Sequence, residues 1–215
     1  AGFLYKLLNK KGFVYLKMDM TLTDDEHGNL PLSIYRFLVS FTSNFFDLVS
    51  IETKKSFKYL SNRQPKRLRY MPNGIETKRI SNLISFKEKE NLILHVGRIG
   101  THQKASEVVL AVFARLADDF PQWNLLLIGA LEKSFTNKLK KLLEEHKSLK
   151  DRIRYIRYLE TEEEIFQYYR KAKILFLPSR YEGFALAPIE AAAYGVVPLA
   201  SDLVSLREIT DDGTL

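Results

Sequence analysis

KILFLPSRYEGFALAPIEAAAYGVVPLAS, residues 173–201, decides the fold. The apolar run at 173–179 reads as a strand, the run at 196–201 as a second, shorter one, and the alanine-rich stretch between them as a helix from about Leu186 to Tyr194. Pro188 lacks the N–H that a helix interior needs, so it is tolerated only in a first turn and the helix begins close to Ala185 or Ala187. Gly195 ends it, because glycine readily adopts the left-handed conformation at helix C-termini. Two carboxylates, Glu182 and Glu190, stand in this otherwise small and apolar segment, one before the helix and one on it.

The same alternation of short apolar runs and longer amphipathic ones extends back to residue 91, the pattern of βαβ units and a parallel sheet. Strands are expected at 91–97, 123–129 and 152–156. Of the helices between them, the first places Ala105, Val108, Val109, Val112, Phe113 and Leu116 on one face. The second is marked by Phe135, Leu139, Leu142 and Leu143, and the third opens on a Thr161/Glu164 capping box and runs through Ile165, Tyr168, Tyr169 and Ala172. The expected fold class is α/β, a Rossmann-like parallel sheet with helices on both faces. Residues 1–75 read as a partial α/β unit, with strands at 13–19 and 47–53, a strand running into a Pro-Asn-Gly turn at 67–75, and an amphipathic helix at 32–46; the second domain spans 76–215, the polar stretch 78–90 reading as the linker.

With 215 residues, 46% hydrophobic and 12% aromatic, the chain can bury a real core. Cysteine is absent, which excludes disulfides, thiolate metal sites and a cysteine nucleophile. The net charge of +7 suits an acidic partner. The densest basic run, at 54–69, reads as a solvated helix face plus loop or as a patch for an anionic membrane surface; no nucleic-acid reading motif accompanies it, and no nucleic-acid partner is expected. Arg36, Asn44 and Asp47 interrupt the most apolar region, 30–50, so no membrane span is expected, and lysines fill the N-terminal stretch where a signal peptide would be apolar. The expected location is the cytoplasm, with peripheral contact at the inner membrane face through 54–69 as a further expectation.

In open α/β sheets ligands bind where strand carboxyl ends lead into helix N-termini. Two such loops stand out. GRIGTHQKAS, 97–106, offers Gly97, Arg98 and Lys104, yet it is neither a dinucleotide fingerprint nor a P-loop, and its lone His102 reads as a polar loop residue. SRYEGFALAP, 179–188, places Gly183 before a helix start, where backbone N–H groups and the helix dipole favour an anion. Two readings of Glu190 stay open: a carboxylate reaching solvent at a helix edge, or a partly buried one satisfied by donors or a ligand hydroxyl. The four histidines have no metal-ligand spacing, and G-x-S-x-G is absent.

Taken together, PNGI (72–75), HVGRIGTHQK (95–104), LPSRYEGFALAPIEAAAYGVVPLAS (177–201) and the DG of ITDDG (209–213) resemble the retaining nucleotide-sugar glycosyltransferases of the GT-B fold, the group 1 family. The third segment is the specific one, matching the family's E-x7-E motif as Glu182 and Glu190. Ala105, where the family often has Gly or Asn, and Ala185, where a second glycine is common, are mild departures.

The resemblance implies a donor-binding C-terminal domain at 76–215 and the last part of an acceptor-side domain before it, so a partial chain is expected. Arg98 and Lys104 would clamp the diphosphate and neutralise charge on the leaving group, the work a bound metal does elsewhere; no metal and no cofactor beyond the nucleoside-diphosphate sugar is expected. Backbone N–H groups of Phe184, Ala185 and Leu186 would add to the clamp. Glu190 would accept from ribose hydroxyls, Glu182 would contact the transferred sugar, and Arg157 with Tyr158 would hold the base. The implied activity is transfer of a hexose, with retention of anomeric configuration, to a glycan or lipid-linked acceptor; the alternative is a non-catalytic nucleotide-sugar-binding module or inactive fragment.

Overall fold

The computed structural model describes residues 5, 9, 11–18, 46–61, 67–76, 80 and 83–213. The chain forms two compact units, Ala1–Asn73 and Gly74–Leu215.

In the first unit, β1 (Tyr15–Met18), β2 (Leu48–Ile51) and β3 (Leu68–Tyr70) make a parallel sheet in that order. Helix α1 (Lys54–Ser61) packs Leu60 with Val49, Ile51 and Leu68 into a small core. The helix expected at 32–46 lies outside the described residues, apart from its last position.

The second unit is a five-stranded, wholly parallel sheet. Its strands are β4 (Glu90–Val96), β5 (Asn124–Ile128), β6 (Ile153–Ile156), β7 (Ala172–Leu177) and β8 (Val197–Ala200), in the order β6-β5-β4-β7-β8. Five helices follow these strands: α2 (Ser106–Leu116), α3 (Lys133–Glu145), α4 (Glu162–Lys171), α5 (Leu186–Ala193) and α6 (Val204–Ile209). The central strands read as unbroken apolar runs because both faces are covered. Leu126, Leu94 and Leu175 form one row across β5, β4 and β7, each fully buried, on the face that receives Tyr169 of α4 and Ala191 of α5. The alternate row, Ile153, Leu125 and Ile93, faces Val109 and Phe113 of α2 and Phe135 of α3. Each leucine so buried contributes about 1.5–3 kcal/mol relative to exposure. The expected fold class, a Rossmann-like parallel sheet with helices on both faces, is the fold observed.

Local signals act where they were read. Thr161 and Glu164 form the capping box of α4, with the Thr161 N–H donating to Glu164 Oε1 at 3.1 Å. Pro188 lies in the first turn of α5, and that helix ends in a Schellman motif: Val196 N–H donates to Ala191 O and Gly195 N–H to Ala192 O, both at 2.9 Å, with Gly195 at φ 69°. Two expectations shift. Ala172, read as the last inward position of a helix, is already the first residue of β7. On α2 the buried row is Val109, Leu110 and Phe113, continuing to Ala117, whereas Val108, Val112 and Leu116 are 36–43% exposed. Both rows are apolar at helical spacing, so the pattern alone leaves the rotation of the helix open.

Among the described residues, no helix is long and apolar enough to cross a membrane.

Candidate functional site

The sequence of strands reverses at β4. From there the chain steps outward to β5 and β6, then returns to β4's other edge as β7. The loops leaving the carboxyl ends of β4 and β7 therefore face each other at the topological switch point, where such sheets bind ligands. They are the two loops singled out in the sequence.

The β4–α2 loop is shaped by close approaches. Gly129, at the end of β5, has φ 136°, and a Cβ there would meet the carbonyl oxygen of Gly97 at 1.8 Å. The loop thus runs flush against the β5 end, and Ile99 N–H donates to Ala130 O at 2.7 Å. Ala105 enters α2 in the left-handed conformation, φ 48° and ψ 41°, at the position where the resemblance notes Gly or Asn. Beneath the loop, His95 is fully buried. Its Nδ1–H donates to Phe176 O at 2.9 Å, because a carbonyl only accepts, so Nε2 accepts from the Ser106 hydroxyl at 2.8 Å. Ser106 Oγ accepts in turn from Gly100 N–H at 3.0 Å. Burial lowers the pKa of His95 to about 4, so the ring is neutral near pH 7 and this relay is intact.

Across the gap, Lys104 Nζ reaches Glu182 Oε1 at 2.5 Å, with side-chain exposures of 16% and 6%. Gln103 Nε2 donates to Tyr181 O at 3.1 Å and lies 3.4 Å from Glu182 Oε2. Arg98, exposed, donates to Gln103 Oε1. Arg180 N–H donates to Gln103 O at 2.8 Å, and the Arg180 guanidinium bridges His102 O at 2.6 Å and Glu107 of α2 at 2.5 Å. Ser205 of α6 donates to Glu182 O at 3.0 Å. Arg98, Lys104 and Glu182 are thereby brought into one network, with Gly97 at its base, where its own Cβ position would lie 3.0 Å from Lys104 Cε.

Gly183 and Ala185 are buried where the loop enters α5. The helix starts at Leu186, so its first-turn N–H groups have no intrahelical acceptor. Glu190, one turn further on, is half-buried and accepts from the Tyr169 hydroxyl at 3.1 Å. Burial raises the pKa of Glu190, and it raises that of Tyr169 well above the usual phenolic value. Of the two readings of Glu190, the partly buried one with a donor holds. Glu190 lines a cleft of about 290 Å³ with Leu186, Glu162, Phe166 and Tyr194. Arg157 and Tyr158 leave the carboxyl end of β6, two strands from β4; both are exposed, with the guanidinium 5.2 Å from the ring centroid, and no described bond joins them to the network. His102 is an exposed loop residue, as expected.

Sequence reasoning missed Gln103, Arg180, Ser205, Tyr169 and the His95–Ser106 relay. Gln103 and Arg180 lie in the quoted loops, but their partners across the gap are 73–79 residues away in the chain, a pairing that no local pattern reveals. Among the described residues, no group of three or more His, Asp or Glu side chains is placed to hold a metal ion. In the basic run, Lys54, Lys55 and Lys58 lie on α1, while 62–66 lie outside the described residues.

The fold recurs in solved structures. Anabaena HepE in complex with UDP-glucose superposes with a TM-score of 0.74 at 16% identity, covering 96% of this chain and 58% of that one. By sequence, the chain is 27% identical to the GDP-mannose:cellobiosyl-diphosphopolyprenol alpha-mannosyltransferase of Xanthomonas oryzae over 65% of its own length and 36% of that protein's. It is 28% identical to the lipopolysaccharide core biosynthesis mannosyltransferase LpsB of Rhizobium meliloti, covering 66% of this chain and 42% of that one. The chain thus spans less than half the length of these curated relatives. The profile of the glycosyl transferases group 1 matches residues 54–214, from α1 through the whole parallel sheet and both facing loops, and the chain belongs to that family.

Proposed function

We propose that the Gly74–Leu215 unit holds the nucleoside-diphosphate sugar of a hexosyltransferase that works with retention of anomeric configuration and passes the sugar to a glycan or lipid-linked acceptor. The observation that carries this reading is the meeting of Arg98, Lys104 and Glu182 with the start of α5 at the switch point, two cations and a helix N-terminus in one place. Relatives named for GDP-mannose and polyprenol-linked acceptors, and a fold neighbour holding UDP-glucose, agree with it.

On this reading the diphosphate lies between Arg98, Lys104 and the N–H groups of Phe184, Ala185 and Leu186. Fixed positive charge there offsets the charge that grows on the leaving group, so no metal is required for that work. Glu190, already desolvated and with one oxygen taken by Tyr169, accepts from ribose hydroxyls. The base lies toward Arg157 and Tyr158. Glu182 pairs with Lys104; a diphosphate that draws Lys104 to itself frees the carboxylate for a sugar hydroxyl.

A thermal-shift screen with UDP, GDP, ADP and dTDP and their hexose conjugates tests the reading, since a ligand of the native state raises the melting temperature. One nucleotide series should stabilise the protein, with EDTA present or absent. Transfer to a polyprenol-linked acceptor, with the product anomer read by NMR against the donor anomer, tests retention. No shift with any nucleotide would sink the proposal.

A further inference from the structure

Gln103 both donates and accepts through its side chain, and it touches both loops. A primary amide has one oxygen that accepts and one nitrogen that donates twice. Here Oε1 faces the Arg98 guanidinium, while Nε2 faces the Tyr181 carbonyl at 3.1 Å and Glu182 Oε2 at 3.4 Å. The opposite orientation would set N–H against N–H and oxygen against two oxygens, so the neighbours fix which way the amide points. The backbone fixes where it stands, because Arg180 N–H donates to Gln103 O at 2.8 Å while the Arg180 side chain clasps His102 O and Glu107. Glu182 is consequently held on one oxygen by Lys104 and approached on the other by Gln103, two consecutive residues of the opposite loop.

We propose that Gln103 is a positioning residue of the nucleotide-sugar site: its amide sets the spacing of Arg98 and Glu182, and so aligns the phosphate-facing cation with the sugar-facing carboxylate before ligand arrives. This rests on the donor-binding reading above. A neutral amide suits the place on charge grounds. A further cation beside Arg98, Lys104 and Arg180 would add repulsion, and a carboxylate would repel Glu182.

Protonation offers a test that packing alone does not mimic. A protonated carboxylic acid keeps an acceptor for Arg98 and restores one of the amide's two donors, whereas a carboxylate only accepts. The groups facing this position are Arg98, His102 and Lys104 on its own loop, Glu107 on α2, and Arg180 and Glu182 on the β7–α5 loop; their effects are common to wild type and variants, so the affinity ratio is the quantity to read. Binding of GDP-mannose and UDP-glucose is measured by calorimetry from pH 5 to 8 for the wild-type chain, Gln103→Glu and Gln103→Met, with melting temperatures alongside. At pH 8 both variants should bind the preferred donor about tenfold or more weakly than wild type, the loss expected when a hydrogen bond to a charged group goes. Toward pH 5 the Gln103→Glu deficit should shrink while the Gln103→Met deficit stays. Wild-type-like binding by Gln103→Met, or a Gln103→Glu deficit constant across the range, overturns the proposal while leaving the donor site intact. Failure of wild type to bind either sugar nucleotide, and the ADP- and dTDP-hexoses as well, overturns both.

Discussion

Glu182 and Glu190 differ in what their surroundings do to charge. Glu182 is buried against a cation, Lys104, whereas Glu190 is desolvated and its donor among the described residues is a neutral hydroxyl, that of Tyr169. A carboxyl whose folded pKa is raised binds more protons in the folded than in the unfolded state above its unfolded pKa, so its ionisation costs stability as pH rises through the folded value. Glu190→Gln should therefore raise the melting temperature of the unliganded protein at pH 7 by a few degrees while weakening nucleotide-sugar binding; a lower melting temperature would contradict the burial argument. His95 carries the opposite sign. Its folded pKa of about 4 lies below the ordinary 6.5, so the unfolded chain binds the extra proton between those values and stability is lost as pH falls through that window. The full loss is on the order of 3 kcal/mol, and denaturant titrations at pH 7 and pH 4.5 should show most of it disappear in His95→Leu. Neither behaviour could be read from the sequence, where His95 was one of four histidines without spacing and Tyr169 one inward position of a helix. Burial decides both shifts, and it is produced by packing against elements far away in the chain: the groups that bond to His95 and Glu190 are 11–81 residues distant.

The β4–α2 loop owes its path to positions that only small residues tolerate. Gly129→Ala drives a methyl group into the Gly97 carbonyl and asks alanine to hold φ 136°; the cost is about 1–3 kcal/mol, with the loop displaced and donor affinity lost along with stability. Chemical denaturation and donor binding measured on this variant should fall together, and intact binding would mean that the loop does not need this path. Ala105 shows the same constraint from the other side. The sequence marked it as a departure from Gly or Asn, and the left-handed backbone there supplies the reason. The strands, the capping box and the Schellman end were legible because their signals are local: apolar run length, Thr161 with Glu164, and Gly195 after a run of alanines. The rotation of α2 was not, because Val108–Val112–Leu116 and Val109–Phe113–Ala117 are equally apolar rows, and only the sheet decides which one is buried.

For the molecule as a whole, the alternation of strands and helices from residue 91 made a parallel sheet legible, and the general rule for such sheets pointed to the two loops that carry Arg98, Lys104, Glu182 and Gly183. The strand order was not legible. That β7 returns beside β4, and so brings residues 98–104 against 180–186, is a property of the sheet's topology and not of either segment. Everything proposed for the chain rests on this meeting of two loops. Calorimetric titration with GDP-mannose and UDP-glucose, on the wild-type chain and on Lys104→Met, therefore bears on it without intermediaries. One of the two sugar nucleotides should bind wild type saturably at a single site, and Lys104→Met should weaken it at least about tenfold, the scale of a charge-assisted contact to phosphate. Absence of binding by wild type to these and to the ADP- and dTDP-hexoses as well, or equal affinity in the variant, would contradict a nucleotide-sugar site at the β4–β7 switch point.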